Sequence, residues 1–177
     1  PKERHPALIK HLLNPPEDLT RVGSPFAIMY LYEALEKMGL QNEIIKSIYE
    51  AYQPMLDLKA TTVWESFASG TTGQDDFPTR SHTHAWSSAP IHFLNRIILG
   101  ILPEGLGGSS VTISPRPNGV GWAKGATATI QGPVSVSWKI EGDRLDVTAS
   151  APKGTALRFE NNDDLAGLKI TFNGEEM

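Results

Sequence analysis

The sequence has 177 residues, of which 40% are hydrophobic and 20% are charged, and its formal net charge at pH 7 is -4. A chain of this length and composition can build one or two small cores, which excludes disorder over most of its length. The mild charge, with no basic patch, gives no reason to expect a nucleic acid or an anionic membrane as a partner. Because there are no cysteines, disulfides, thiolate metal sites and cysteine nucleophiles are excluded together.

No apolar stretch approaches the roughly 20 residues that a membrane-spanning helix needs. The first residues, Pro1 to Pro6, resemble neither a signal peptide nor a usual start of translation. They suggest a cut inside a longer chain. The sequence therefore leaves open whether the protein is cytoplasmic or secreted.

Apolar residues follow a helical spacing up to about residue 103. Ser24 and Pro25 predict the start of a first helix, because serine caps free N–H groups and proline suits the first helical position. Gly39 is well placed to end it. A second helix is predicted from about Gln41 to Pro54, and the short connection makes the two helices antiparallel neighbours.

A polar stretch rich in glycine and threonine follows, from about Ala60 to Arg80, and long ordered loops are often functional. A third helix is predicted from about Thr83 to Leu99, with Trp86 on its buried side. Three or four helices are few for an independent core. The helical part is therefore expected to be an incomplete domain.

Alternation of apolar and polar residues predicts strands after residue 103. The clearest run is Val134 to Ile140, with Trp138 in the core, and a mate from Leu145 to Ala149 follows across a hairpin turn. Further short strands are predicted around Val111, Ala126, Leu157 and Ile170. This spacing favours an antiparallel sandwich. The predicted domains are thus a helical part, residues 1–102, and a β part, residues 103–177.

Two short segments on either side of the polar stretch place titratable groups beside tryptophans. The first, residues 61–67, contains Trp64 and Glu65, and the second, residues 80–87, contains His82, His84 and Trp86. Partial desolvation beside an indole tunes the pKa of a carboxylate, and such a glutamate can activate a water molecule as a general base. An indole also offers a platform to a sugar, and Trp64 is the tryptophan that we favour for this contact.

Other interpretations of these residues stay open. Glu65 also fits an exposed loop residue or an ion pair with Arg80, since structural ion pairs perturb carboxylates too. In an extended segment His82 and His84 point the same way, and with Glu65 or Asp76 they could hold a metal. One histidine could instead cap the third helix while the other bonds within a polar pocket. A single pair of histidines is a weak metal signal, so neither a metal nor a cofactor is predicted.

Together these segments resemble the late part of bacterial α-L-rhamnosidases. The resemblance spans roughly residues 20 to 160 of the sequence, and its motifs occur in the expected order. These motifs are Val22–Phe26, Thr61–Glu65, Ser81–Trp86, Ile98–Ile101, Val111–Pro117, Gly121–Gly125 and Gly132–Trp138.

This resemblance implies an α+β chain that contains the last helices of an (α/α)6 barrel and a C-terminal antiparallel β-sandwich. It also implies cleavage of terminal α-L-rhamnosyl groups with inversion, in which one carboxylic acid protonates the leaving oxygen and a second carboxylate activates water. Carried over to this sequence, Glu65 is the general base. His84 is a sugar-contacting histidine and His82 a companion, while Trp64 shapes the pocket.

The general acid of the family lies in an earlier acidic segment that this chain does not contain, and Asp75 and Asp76 match nothing in the family pattern. The resemblance therefore implies a C-terminal fragment of a larger enzyme that acts on a rhamnose-containing glycoside or oligosaccharide. Its partner would be the missing N-terminal portion of the same polypeptide, and the fragment alone is expected to be inactive.

Two alternatives remain open at this point. The first is another (α/α)6 oligosaccharide hydrolase or phosphorylase, because such enzymes also combine a late glutamate with a terminal sandwich. The second is a non-catalytic carbohydrate-binding or interaction module, in which the β part would hold the ligand.

Overall fold

The computed structural model describes residues 2–19, 21–67 and 79–177, apart from the side chain of Lys2. The chain forms two compact units, residues 1–91 and 92–177. Asp75 and Asp76, with most of the predicted polar loop, lie outside the described residues. The domain boundary predicted between residues 102 and 103 stays a prediction.

The described residues contain four α-helices, and the three predicted from the sequence are confirmed. They are α1 (His5–Leu13), α2 (Pro25–Lys37), α3 (Gln41–Asp57) and α4 (Ala89–Ile97). Helix α1 was not predicted, and it has no buried residue.

Helices α2 and α3 build the core of the first unit. Ser24 caps α2 as predicted, because its hydroxyl accepts a hydrogen bond from the N–H of Ala27. Gly39 has a φ of 77°, which lets the chain reverse between the two helices. Tyr32 is buried, and its hydroxyl lies 3.0 Å from the hydroxyl of Ser47 on α3. The other buried apolar side chains of this helix pair are Ile28, Leu35, Ile44, Ile48, Tyr52 and Met55.

Two predicted helix boundaries are wrong. Helix α3 continues through Pro54 to Asp57, because the proline removes only one backbone hydrogen bond and the turn beyond it still buries Met55. The third predicted helix begins at Ala89, since Pro90 suits a first turn. Trp86 consequently precedes the helix in a short 3-10 turn and is 68% exposed instead of buried.

The second unit contains eight strands in two sheets. The strands are β1 (Ile101–Glu104), β2 (Ser110–Ile113), β3 (Trp122–Thr129), β4 (Gly132–Glu141), β5 (Arg144–Ser150), β6 (Ala156–Phe159), β7 (Lys169–Phe172) and β8 (Glu175–Glu176). One sheet has the order β1-β2-β6, and the other has the order β3-β4-β5-β7-β8. The predicted combination of helices with a sandwich-like pair of sheets is confirmed.

The sheets are mixed, so the predicted antiparallel arrangement is wrong in two places. Strand β2 pairs with β6 in parallel, and β5 pairs with β7 in parallel. Alternation of apolar residues is the same for either direction, so it does not reveal which pairs are parallel. Strand β1 was also missed, because its Pro103 is typical of an edge strand and not of a regular one.

Strands β4 and β5 carry the centre of the core of this unit. Trp138 is only 2% exposed, as predicted, and its indole N–H donates to the carbonyl of Ile98 at 2.8 Å. Nearby, Gly100 has a φ of 69°, and a Cβ at this position would lie 2.2 Å from backbone atoms of Ser114 and Pro115. The chain therefore passes itself too closely here for any side chain.

Candidate active site

The two segments singled out in the sequence lie side by side in the first unit. The N–H of Glu65 donates to the carbonyl of Ser81 at 3.0 Å, and the N–H of His84 donates to the carbonyl of Val63 at 3.0 Å. These two bonds join residues 63–65 to residues 81–84 without forming a regular strand. The fold thus brings Glu65 into the neighbourhood of both candidate histidines.

Hydroxyl groups add to this backbone pairing next to His82. The hydroxyl of Thr62 donates to the carbonyl of His82 and lies 3.2 Å from the hydroxyl of Thr83. The hydroxyl of Ser81 donates to the carbonyl of Thr83 at 3.0 Å and accepts from its N–H at 3.3 Å. The backbone around His82 is therefore held by several local bonds.

A second group of bonds lies on the other side of Glu65 and centres on Thr79, which is 1% exposed. The Thr79 hydroxyl accepts from the N–H of Ser66 at 3.1 Å and lies 3.0 Å from the hydroxyl of Ser66. It donates to the carbonyl of Ser81 at 3.3 Å. This threonine was not singled out in the sequence, because nothing in its local pattern indicates which distant groups it bonds.

The two tryptophans of the site differ in exposure, because Trp64 is buried and Trp86 is exposed. Trp64 is 3% exposed and stacks on His82, with ring centroids 5.3 Å apart and planes at 28°. His84 meets the edge of Trp86 at 6.1 Å, and Trp86 lies 5.1 Å from Phe26 of α2. Trp64 therefore supports the His82 ring, whereas Trp86 is the accessible indole. Pro90 is the sequence signal that could have indicated this, because it places the helix start after Trp86.

Glu65 is half-buried, and its side chain ends in a carboxylate. In the described part of the chain this carboxylate has no hydrogen bond and no ion pair, and in particular none with Arg80. The competing interpretation of Glu65 as a structural partner of Arg80 is therefore not what the structure shows. A carboxylate without an internal partner is available to accept a proton from water.

The described residues offer neither a metal site nor a membrane-spanning helix. They contain no group of three or more histidine, cysteine, aspartate or glutamate side chains that could hold a metal ion. None of their helices combines the length and the hydropathy needed to cross a membrane.

Comparison with known proteins gives a consistent result. Residues 100–163 match the family described as the bacterial alpha-L-rhamnosidase C-terminal domain. An alpha-L-rhamnosidase of Alteromonas sp. (strain LOR) is 26% identical over 141 residues, which are 78% of this chain and 15% of that protein.

Solved structures extend the similarity into the first unit. The crystal structure of a GH78 family rhamnosidase of Bacillus sp. GL1 has 34% sequence identity and a TM-score of 0.82, and the match covers 96% of this chain and 18% of that chain. An alpha-L-rhamnosidase from Dictyoglumus thermophilum has 22% identity and a TM-score of 0.65, covering 87% of this chain and 17% of that chain, and it shows the fold alone. The chain spans less than a fifth of each of these relatives. The expected resemblance is therefore confirmed: the chain is similar to the C-terminal part of bacterial α-L-rhamnosidases.

Proposed function

We propose that this chain forms the late part of an inverting α-L-rhamnosidase, with Glu65 as the general base that activates water. The observation that carries the proposal is that Glu65 is half-buried and its backbone is bonded to Ser81, while its carboxylate has no partner among the described residues. The 34% identity to a rhamnosidase over 96% of the chain supports the substrate class, a terminal α-L-rhamnosyl group. Helices α2 to α4 would then be the last helices of an (α/α)6 barrel.

The proposed reaction is a single displacement at the anomeric carbon. Glu65 takes a proton from a water molecule while the oxygen of that water attacks the anomeric carbon from the face opposite the leaving group. The bond from this carbon to the leaving oxygen breaks, and a separate carboxylic acid protonates that oxygen. The two carboxyl groups of such an enzyme lie roughly 6.5–9.5 Å apart, which leaves room for the water.

We assign the carboxylic acid to a part of the larger polypeptide outside this chain, because the chain covers only 18% of the structurally similar rhamnosidase. The missing portion of the polypeptide is therefore a necessary partner in the proposal. Residues 1–102 would belong to the catalytic barrel and residues 103–177 to the terminal sandwich. This chain by itself should not hydrolyse a rhamnoside.

The two histidines are proposed to bind the sugar, and Trp64 is proposed to shape the pocket behind them. His84 and His82 lie on the segment whose backbone is bonded to residues 63–65, and this pairing supports the proposal that they contact the same ligand as the general base. Trp64 would support the His82 ring and would not contact the sugar itself, because it is buried and stacks on His82. Imidazole nitrogens can donate to or accept from sugar hydroxyls.

The proposal is tested by replacing Glu65 with glutamine in the complete polypeptide that contains this sequence. Glutamine keeps the size of the side chain but cannot take a proton, so kcat on a chromogenic α-L-rhamnoside should fall by about 10²–10⁴ with KM little changed. The anomeric configuration of the first product, followed by NMR in phosphate-free buffer, should be inverted in the unmodified enzyme.

Glu17→Gln is the matched control, because Glu17 is an exposed glutamate of the same unit, and it should leave kcat unchanged. Full activity of Glu65→Gln would overturn the assignment of the base. A product with retained configuration would overturn the inverting mechanism, and a requirement for phosphate would indicate a phosphorylase.

A second candidate is sugar binding by the β part without catalysis. A groove of about 510 Å3 lies on strands β3 to β5, and its lining includes four residues with hydroxyl groups, Ser135, Ser137, Thr148 and Ser150. The strand register places Trp122, which is 66% exposed, on the same sheet face. If this groove is the functional site, Glu65→Gln will leave sugar affinity intact and the complete polypeptide will show no hydrolysis.

A further inference from the structure

We propose that Thr79 is a positioning residue, which fixes the general base Glu65 through its buried hydroxyl. The inference rests on the proposed function of Glu65 and adds a residue that holds it. Thr79 touches neither water nor sugar in this proposal. It acts through the backbone on both sides of Glu65.

The peptide groups that flank Glu65 are each held by a hydrogen bond. The N–H of Glu65 donates to the carbonyl of Ser81 at 3.0 Å, and the N–H of Ser66 donates to the hydroxyl of Thr79 at 3.1 Å. A peptide group is planar, so fixing the groups before and after one Cα restricts both backbone dihedral angles of that residue. The direction in which Glu65 leaves the backbone is thereby set.

Thr79 also links these two bonds to each other. Its hydroxyl donates to the carbonyl of Ser81 at 3.3 Å, and this is the carbonyl that accepts from Glu65. The Ser66 hydroxyl, at 3.0 Å, supplies a further contact. A threonine hydroxyl has one proton and two acceptor sites, so this geometry uses its full capacity. A single oxygen atom thus joins the residue after Glu65 to the residue opposite Glu65.

Burial makes these bonds difficult to replace. Thr79 is 1% exposed, so water cannot easily take the place of its hydroxyl when that oxygen is removed. Thr127 offers a direct contrast, because its hydroxyl is also buried but has no partner in the part of the chain that the structure describes. Loss of a buried threonine hydroxyl should therefore matter at Thr79 and not at Thr127.

The expected consequence is a loss of rate and not of substrate binding. A displacement of about 1 Å of a reacting group can cost on the order of 10²-fold in rate. Thr79→Val keeps the shape of the side chain but releases Ser66, so kcat on a chromogenic α-L-rhamnoside should fall about 10- to 100-fold. KM should change little, because the proposed sugar contacts come from His82 and His84.

The experiment is a double-mutant cycle in the complete polypeptide. The variants are Thr79→Val, Glu65→Gln and the combination, with Thr79→Ser and Thr127→Val as matched controls. Thr79→Ser should retain most of the activity, since it keeps the hydroxyl, and Thr127→Val should retain all of it. Because Thr79 acts through Glu65, Thr79→Val should cause almost no further loss once Glu65 is glutamine.

If Thr79 has a merely structural role, Thr79→Val will lower kcat by the same factor in the unmodified enzyme and in the Glu65→Gln variant. That outcome would overturn the proposal. Unchanged kcat of Thr79→Val would overturn it as well. If Thr79→Val does not fold, Thr79→Ala removes the same hydroxyl and enters the same cycle. Full activity of Glu65→Gln would instead refute the proposed function, whatever Thr79→Val does, so the two failures are distinguishable.

Discussion

The five-stranded sheet and the candidate site are ordered in different ways. Seven consecutive residues of β4, Ser135–Glu141, pair with seven of β5, Arg144–Ser150. Alternate side chains of both strands are buried. The segments around Glu65 are joined by two backbone bonds and a few hydroxyl groups. Order in the sheet is shared among many similar contacts, whereas order in the site depends on individual atoms. Changes in the sheet should therefore appear as lost stability, and changes in the site as lost activity.

The largest expected effect on stability comes from Trp138 at the centre of the sheet. Trp138→Ala should lower the free energy of unfolding by about 3–5 kcal/mol, because it leaves a cavity and removes the donor to the Ile98 carbonyl. Trp122→Ala on the exposed face of β3 is the control, with an expected change within about 0.5 kcal/mol. Urea unfolding of both variants measures the difference. An equal loss of unfolding free energy in the two variants would contradict the idea that the burial of Trp138, and not its aromatic ring alone, stabilises this sheet.

The next effect is expected at Gly100, where the second unit depends on one close approach of the backbone to itself. Gly142 has a similar positive φ, 61°, but nothing lies within 4 Å of the Cβ position there. Gly142→Ala should cost only the roughly 1–2 kcal/mol of the left-handed backbone, whereas Gly100→Ala must also displace Ser114 and Pro115. Thermal unfolding should give the lower midpoint for Gly100→Ala. A lower midpoint for Gly142→Ala would show that the contact with Pro115 gives way easily.

The smallest effect on stability is expected when the pH is raised, and it should be confined to the first unit. Burial raises the pKa of Tyr32 from 10.0 to about 12, and burial likewise raises the pKa of Tyr52. As the pH rises, the tyrosines ionise in the unfolded chain before they ionise in the folded one. The stability that the two buried hydroxyls contribute is therefore fully present below pH 10 and is lost as the pH rises towards about 12, a change on the order of 1–3 kcal/mol. Calorimetry between neutral pH and pH 11 should show it, and Tyr32→Phe should reduce the pH dependence. A rise in stability with pH would contradict the burial of these hydroxyls.

The parts of the fold that were predicted are those in which every residue repeats the same pattern. Helix α2 follows from its cap at Ser24 and its terminal Gly39, and the β4–β5 hairpin follows from strict alternation. The parallel pairs were missed because residues 110–113 and their partners 156–159 are far apart in sequence, and nothing in either strand specifies the direction of the other. Helix α3 passes Pro54 because the burial of Met55 outweighs a local penalty.

The site was predicted in outline only. The sequence placed Glu65 and the two histidines in segments that the fold does bring together, and their roles stay proposals. It did not indicate that Trp64 would be covered by His82, or that Thr79 would bond to Ser66 and Ser81. Such bonds depend on distances between chain segments, which no local spacing reports.

The parallel pairing of β5 with β7 has a consequence for how this domain can be trimmed. The family match ends at residue 163, but β7 spans Lys169–Phe172 and covers one side of β5 from Arg144 to Val147. A domain cut after residue 163 would keep the sheet β1-β2-β6 whole and leave β5 as an open edge. Exposed edges of this kind recruit strands from other molecules. The last fourteen residues, 164–177, should therefore be needed to keep this domain from self-associating, because they contain the strand that covers the edge of β5.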